Sequence, residues 1–200
     1  MGVHDKYDIH TWSYLALRKA VGWTGILLPI VLMLGNAVIF GGDFPRPSIS
    51  LYYHTPMRDV LVGGLCAVAL FLFFYAGYDR WDNITGNLAG IFALVVAWFP
   101  ASEPGVGGII NAIHFIAAAL FFVTLACFSL FLFTRKDENP TPEKMKRNVV
   151  YIICMAAMLL HFLIRGTAIT SSFVFWSETV ALIAFGVSWL TKGGTLYPDR

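Results

Sequence analysis

The segment from Ile109 to Phe133 reads IINAIHFIAAALFFVTLACFSLFLF and contains no charged residue. As an α-helix, its 25 residues rise about 37 Å at about 1.5 Å per residue, and the hydrocarbon core of a bilayer is about 30 Å thick. The apolar residues are continuous rather than alternating, which is typical of a helix and not of a strand in a membrane barrel. The segment therefore predicts a membrane-spanning helix.

The composition of the whole chain agrees with this segment. Hydrophobic residues make up 58% of the 200 residues and charged residues 13%, whereas a soluble domain has about 25% charged residues. A soluble fold of this length has too little interior to bury so many apolar side chains. This argues against a soluble enzyme, a nucleic-acid-binding protein and a disordered chain. We expect an integral membrane protein whose partners are membrane lipids, with no nucleic acid, and with a homo-oligomer as an alternative to a monomer.

Five further apolar segments accompany this one and predict an all-α bundle of six transmembrane helices. The third is the shortest, with 12 apolar residues or about 18 Å of helix. It crosses the membrane only if the polar residues before it continue the helix, and a re-entrant segment is the alternative. The six segments are 20–40, 60–77, 88–99, 109–133, 149–168 and 172–190.

The same segmentation predicts the organisation of the chain. We expect a cytoplasmic leader at 1–19, which is either an interfacial helix or a plain connection to the first span. The transmembrane domain covers 20–191 and a cytoplasmic tail covers 192–200. Pro142 followed by Glu143 predicts the start of a helix. Within the bundle, close helix approach is expected at three glycines, namely Gly63, Gly64 and Gly186.

Lysine and arginine are divided unevenly between the two ends of the predicted helices. Alternating the six spans places eleven of the 14 Lys and Arg residues on one side of the membrane. The other side holds Arg46, Arg58 and Arg165. Because positively charged loops stay in the cytoplasm, this asymmetry predicts that both termini are cytoplasmic.

Polar and ionisable residues within and beside the predicted spans concentrate in the outer half. Because burying such a group in hydrocarbon is costly, these residues usually face the interior of a bundle. The depth of each residue below the outer surface follows from its position in the helix, at about 1.5 Å per residue. Eight side chains have similar depths and consistent helical faces, so we expect them to converge on one pocket open to the outside. We expect no comparable group in the inner half, where Asp79, Arg80 and Asp82 form a short loop. The candidate ligand-binding residues are Asn36, His54, Arg58, Asn111, His114, His161, Arg165 and Glu178.

Three interpretations of this pocket differ in their chemistry. In the first, the pocket binds or transports a lipid-like or anionic small molecule, because Arg58 and Arg165 suit a phosphate or carboxylate group. In the second, His114, His161 and Glu178 hold a zinc or iron ion in a membrane-embedded metal-dependent lipid hydrolase. Haem between the two histidines is a related alternative. In the third, the protein is structural, and Arg165 pairs with Glu178 without any ligand.

Several segments together resemble an uncharacterised family of bacterial six-span integral membrane proteins, a domain of unknown function. The resemblance implies a six-helix fold in the bacterial inner (plasma) membrane and implies no activity. The number of spans is distantly similar to that of DRAM-like lipid-associated proteins. The segments are SISLYYHTPMRDVLVGGL (48–65), GYDRWDNITGNLAGIFALVVAWFP (77–100), NAIHFIAAALFF (111–122), FLFTRK (131–136) and FGVSWLTKG (185–193).

A second similarity concerns two residues of the outer loop. Ser50 and His54 form an SxxxH pair, which is similar to that of the alkaline ceramidase and adiponectin-receptor superfamily of zinc hydrolases. That superfamily also has a late HxxxH pair, whereas here His161 is followed four residues later by Arg165. The similarity therefore implies no zinc site.

The charge asymmetry leads to a prediction about topology. In intact cells, Glu103→Cys is expected to react with a membrane-impermeant maleimide, because residue 103 lies in an outer loop. Glu138→Cys is expected to react only after the membrane is permeabilised, because the loop from Thr134 to Asn148 is cytoplasmic. Labelling at position 138 but not at 103 in intact cells would overturn this orientation.

Overall fold

The computed structural model describes residues 3–198 apart from 76, 78, 104, 136–138 and 166–170, and it leaves the side chains of 3–13, 163–165 and 171–172 undescribed. The described chain is helical and contains no strand, so the all-α prediction is confirmed. Two π-helical turns, Gly35–Ile39 and Phe128–Leu132, extend the first and fourth helices, and a 3₁₀ helix at Ser50–His54 precedes the second. The helices are α1 (Val3–Leu34), α2 (Arg58–Phe73), α3 (Arg80–Trp98), α4 (Ile109–Cys127), α5 (Pro142–Arg165) and α6 (Ser171–Lys192).

Four of the described helical segments are long and apolar enough to cross a membrane, as expected of a membrane protein. Of the other two helices, α2 has 16 residues, or about 24 Å. The first turn of α3 carries Arg80 and Asp82. The four segments are Tyr14–Ile39, Ile109–Leu132, Pro142–Phe162 and Phe173–Lys192.

Local sequence explains where several helices begin. Helix α5 starts at Pro142, as predicted, because proline suits the first helical position, where no intrahelical N–H bond is lost. Helix α3 starts after Asp79, whose carboxylate accepts hydrogen bonds from the backbone N–H groups of Trp81 and Asp82. Helix α1 starts at Val3 and continues without interruption to Leu34. The leader is thus part of the first long helix rather than a separate interfacial helix.

The six helices form a closed ring. Each helix packs against its neighbours in the chain, and α6 also packs against α1. Gly186 permits this last contact, because a Cβ atom there would meet the carbonyl oxygen of Gly22 and, at 2.6 Å, Cγ1 of Ile26. Close approach is also found at Gly64, which faces Leu28, but the prediction is wrong for Gly63, where a Cβ atom would meet open space.

The half of the bundle that is predicted to face the cytoplasm contains a charged cluster, so the prediction of no comparable group there is wrong. Asp82 is fully buried, and its carboxylate pairs with Arg135 at 2.8 Å. Arg135 also pairs with Asp79 at 2.9 Å. The backbone N–H of Asp82, and then that of Trp81 and the Arg135 guanidinium, hold the pKa of the Asp79 carboxyl below its ordinary value. The loop before α3 is therefore linked to the end of α4.

Aromatic side chains fill the bundle beside this cluster. Trp189 on α6 is 1% exposed, and its ring packs against those of Tyr75, Phe128 and Phe133 with centroids 5.2–5.6 Å apart. Edge-to-face and tilted contacts of this kind favour a fixed arrangement of rings. Trp189 is thus a residue of the core.

The contact between α1 and α6 leads to a prediction about stability. Gly186→Ala is expected to lower the free energy of unfolding by about 1–3 kcal/mol, because the added methyl group forces the two helices apart. The matched control is Gly63→Ala, which should be neutral or stabilising by up to about 1 kcal/mol. Unfolding of both variants in detergent micelles provides the measurement. Equal stability of the two variants would contradict the close packing at Gly186.

Candidate functional site

A cavity of about 60 Å³ lies in the middle of the ring, toward the end that carries the loop between α1 and α2. This loop, which is predicted to face outward, is hereafter the outer loop. All six helices contribute side chains to the cavity, and the outer loop before α2 contributes Ile49, Ser50 and Tyr53. Polar groups occupy part of its wall, namely those of Ser50, Tyr53, His114, His161 and Glu178. Most of the rest is apolar and comes from Leu28, Ile49, Leu61, Leu65, Val96, Pro100, Ala118, Phe121, Phe122, Phe162 and Leu182.

His114 joins three elements at this cavity. Its Nδ1 lies 2.7 Å from the carbonyl oxygen of Phe99, which can only accept, so Nδ1 carries a proton and donates it. In the neutral imidazole, Nε2 is then the acceptor. The hydroxyl of Ser50, 3.0 Å away, therefore donates to Nε2. The result is a chain of two hydrogen bonds from Ser50 through His114 to the Phe99 carbonyl.

The proton of His161 can be assigned in the same way. The hydroxyl of Ser177 donates to the carbonyl oxygen of Val174 at 2.9 Å, which uses its only proton. Ser177 therefore accepts a hydrogen bond from Nδ1 of His161 at 2.9 Å. Nε2 is then the acceptor nitrogen in the neutral ring. His161 is 2% exposed and packs against the ring of Phe122.

His161 also lines a second cavity, between α5 and α6. This cavity has a volume of about 220 Å³ and is hereafter the lateral groove. Its wall is almost entirely apolar, and four of its side chains, those of Leu160, Phe173, Trp176 and Val180, are exposed on the outside of the bundle. His161 is therefore the residue shared by the central cavity and the lateral groove.

Glu178 fixes the outer loop to the bundle. Its Oε2 accepts a hydrogen bond from the backbone N–H of Ile49 at 2.6 Å, across 129 positions of sequence. Both residues are buried, Glu178 at 6% exposure. A hydrogen bond to a charged acceptor is short and strong when water is excluded. This bond holds the residue next to Ser50 and so positions the serine beside His114.

The geometry gives no support to a metal centre at His114, His161 and Glu178. Both ring nitrogens of His114 lie within hydrogen-bond distance of protein oxygens. A zinc or iron site needs three or more ligands that converge on one point. Among the described residues, no group of three His, Cys, Asp or Glu side chains could hold a metal ion.

Four of the other predicted site residues lie away from the central cavity. His54 is exposed and bonds the carbonyl oxygen of Ala101, so the SxxxH pair does not converge. Arg58 is exposed and donates to the hydroxyl of Tyr53 at 2.8 Å. The remaining two hold loops: Asn36 is buried and donates to Asp43, while Asn111 accepts from the backbone N–H of Ser102.

The eighth predicted residue, Arg165, has a side chain that falls outside the described residues. Its predicted pairing with Glu178 stays a prediction. In addition, prediction from sequence did not assign Ser50 and Tyr53 to the pocket. The only sequence signal at Ser50 is its position four residues before His54, which suggests the wrong histidine as its partner.

No family model, no curated protein and no solved structure matches this chain. The predicted membership of the bacterial six-span family therefore stays a resemblance.

Proposed function

We propose that the protein binds a lipid-like small molecule in the central cavity, with access from the membrane through the lateral groove. The observation that carries the proposal is the position of His161, which lines both cavities. The groove is bordered by exposed apolar side chains of α5 and α6, which would face lipid in a bilayer. An amphiphile can then extend from the bilayer past His161 into the ring.

The polar residues of the cavity supply the selectivity in this proposal. Lipid tails are as apolar as leucine, so an apolar chain gains little by moving from the bilayer onto the cavity wall. A hydroxyl, amide or ester group gains more, because the cavity wall offers it the polar side chains of Ser50, His114 and Glu178. We infer a ligand with one apolar chain and a compact polar end.

The described residues favour an uncharged polar end over an anionic one. Of the two arginines expected to bind an anion, Arg58 is exposed and stacks on Tyr53, and Arg165 has no described side chain. The described wall of the central cavity contains no lysine or arginine that could pair with an anion.

The proposal includes all six helices in the membrane, with both termini in the cytoplasm of a bacterial cell. Helices α2 and α3 contribute Leu61, Leu65 and Val96 to the cavity wall. An apolar cavity of this kind stays dry only if the helices around it exclude water. The lysine and arginine asymmetry supports the same orientation.

Photo-crosslinking tests the binding proposal. A long-chain alcohol that carries a diazirine close to its hydroxyl group is added to the protein in phosphatidylcholine vesicles and irradiated. We expect crosslinks to Phe121, Phe122 or Leu182 of the central cavity. Ala118→Leu should reduce the yield at these residues about tenfold, or about 1.4 kcal/mol, because the larger side chain occupies the cavity.

The control for this experiment is Ala119→Leu. Ala119 is next to Ala118 on α4 but does not line the cavity, so this variant should crosslink like the unmodified protein. Crosslinks confined to exposed residues of the outer surface, or an equal yield in the two leucine variants, would refute binding in the central cavity.

Hydrolysis of an ester is a second candidate function for the same site. The hydroxyl of Ser50 donates to His114, and the Phe99 carbonyl orients that histidine. Serine hydrolases have this arrangement, in which a base lies beside the nucleophile and a third group orients the base. No metal is needed, in contrast to the hydrolase expected from the sequence.

In this reaction, Oγ of Ser50 attacks the carbonyl carbon of the ester while Nε2 of His114 takes the hydroxyl proton. The histidine returns that proton to the departing alcohol oxygen, and the acyl group stays on Ser50. Water then attacks the acyl carbon and transfers a proton through His114 to Oγ as the acid leaves.

Labelling with an alkyl fluorophosphonate tests this candidate. The purified protein should be labelled at Ser50, and labelling should be lost in Ser50→Ala and strongly reduced in His114→Phe. Ser48→Ala is the control, because Ser48 is close in sequence and does not line the cavity. A folded, unlabelled protein would contradict hydrolysis while leaving the crosslinking result unaffected.

A further inference from the structure

One side of α3 points away from the bundle. The other side packs against α2 and α4 and consists of small buried residues, among them Gly86 and Ala93. The outward side chains recur at intervals of four, four and seven residues, which places them on one side of the helix. They are exposed and are hereafter the α3 face, namely Asn83, Asn87, Ile91 and Trp98.

Two tryptophans indicate where α3 meets the two surfaces of the membrane. Trp81 is 69% exposed in the first turn of the helix, and Trp98 is 61% exposed at its last residue. They lie 17 residues apart, or about 25 Å, which is close to the hydrocarbon thickness of about 30 Å. Tryptophan is enriched at both membrane–water interfaces. The pair therefore agrees with the placement of α3 in the membrane that the proposed function includes.

Asn87 then lies within the hydrocarbon and faces outward. It is six residues from Trp81, or about 9 Å along the helix axis, and its side chain is exposed. The amide makes no hydrogen bond within the part of the chain that the structure describes. A polar group without a partner in hydrocarbon costs free energy, because no water is present to replace the partner.

Other polar side chains of the helices have partners close by in the sequence. The hydroxyls of Thr85 and Thr124 each donate to the carbonyl oxygen four residues earlier, at 2.8 and 2.6 Å. Asn83, one turn before Asn87, accepts from the backbone N–H of Gly77 at 3.0 Å. Asn87 has no such bond, so a partner for its amide has to come from a second molecule.

A second copy of this chain offers that partner at the correct depth. Two copies inserted in the same orientation place the same residue at the same distance from the membrane surface, and a two-fold axis along the membrane normal brings equivalent faces together. A carboxamide has both N–H donors and a carbonyl acceptor, so two Asn87 side chains can donate to each other. The chain has no charged residue between Asn83 and Trp98, so the two copies meet without like-charge repulsion.

We propose that the α3 face is the contact surface of a homodimer, in which Asn87 of one copy is hydrogen-bonded to Asn87 of the other. Asparagine side chains stabilise pairs of membrane helices through such bonds. The proposal rests on the membrane placement of α3 within the proposed function and does not depend on ligand binding. No residue of the α3 face lines the central cavity.

Disulfide crosslinking in phosphatidylcholine vesicles tests the contact. Cys66, Cys127 and Cys154 are replaced by alanine, and a single cysteine is introduced by Ile91→Cys or by the control Ile116→Cys. The two isoleucines are 47% and 61% exposed, and each lies seven residues from the end of its helix that is predicted to face outward. Oxidation with copper phenanthroline should link most of the Ile91→Cys chains into dimers and few of the Ile116→Cys chains.

Variants of Asn87 measure what the amide contributes. Donor and acceptor fluorophores are attached to a cysteine added after Arg200, and energy transfer is followed as the protein is diluted with lipid. Asn87→Leu should raise the dissociation constant of the dimer about tenfold, or about 1.4 kcal/mol, while Asn87→Gln should retain the dimer. Thr85→Val is the control and should change the constant less than about twofold, because that hydroxyl is bonded within its own helix. Thermal unfolding in detergent verifies that each variant is folded.

The outcomes separate the dimer from the proposed function. Equal crosslinking at the two isoleucine positions, or equal effects of Asn87→Leu and Thr85→Val, would refute the dimer. Diazirine crosslinking in the central cavity would be unchanged, because it takes place within one copy. Reaction of Asn87→Cys with a membrane-impermeant maleimide, in vesicles that expose both faces, would show that α3 lies outside the bilayer. That result would overturn both the dimer and the placement of all six helices in the membrane.

Discussion

The hydrogen bond from the backbone N–H of Ile49 to the carboxylate of Glu178, 2.6 Å long, joins the outer loop to the bundle where neither group is exposed. Without the carboxylate, the backbone N–H of Ile49 would be buried and unsatisfied, at a cost of about 1–3 kcal/mol. The bond therefore determines how the loop enters the ring. Because Ser50 follows Ile49, the bond also determines that Ser50 meets His114.

The other buried polar groups follow the same constraint. Hydrogen bonds of His114 connect α4 to the end of α3 and to the outer loop, and a hydrogen bond from His161 to Ser177 connects α5 to α6. At the opposite end of the bundle, Asp82 connects the start of α3 to Arg135. Each of these hydrogen bonds and ion pairs connects separate elements, since a polar group in an apolar interior must find its partner within the protein. The polar residues thus set the relative rotation of the helices.

The two ends of the ring provide different chemistry. The central cavity is small, mainly apolar, and next to a groove whose exposed side chains suit lipid. The cavity at the opposite end of the bundle is ten times larger, at about 600 Å³, and five of its described lining residues are lysine or arginine. The charged lining residues therefore lie where the helices end, while the central cavity combines a mainly apolar wall with a few polar side chains.

The sequence by itself determined the all-α class and the apolar helix at Ile109–Cys127, because apolar length and periodicity are properties of one segment. It also identified His114, His161 and Glu178 as residues that belong inside a bundle. The free-energy cost of exposing such a side chain to hydrocarbon is a property of the residue itself and does not depend on its neighbours. Only the tertiary structure decided that Ser50 pairs with His114 and not with His54, and that Arg135, Lys144 and Lys192 surround one cavity. Such contacts depend on how each helix is rotated and packed against the others, and no single segment contains that information.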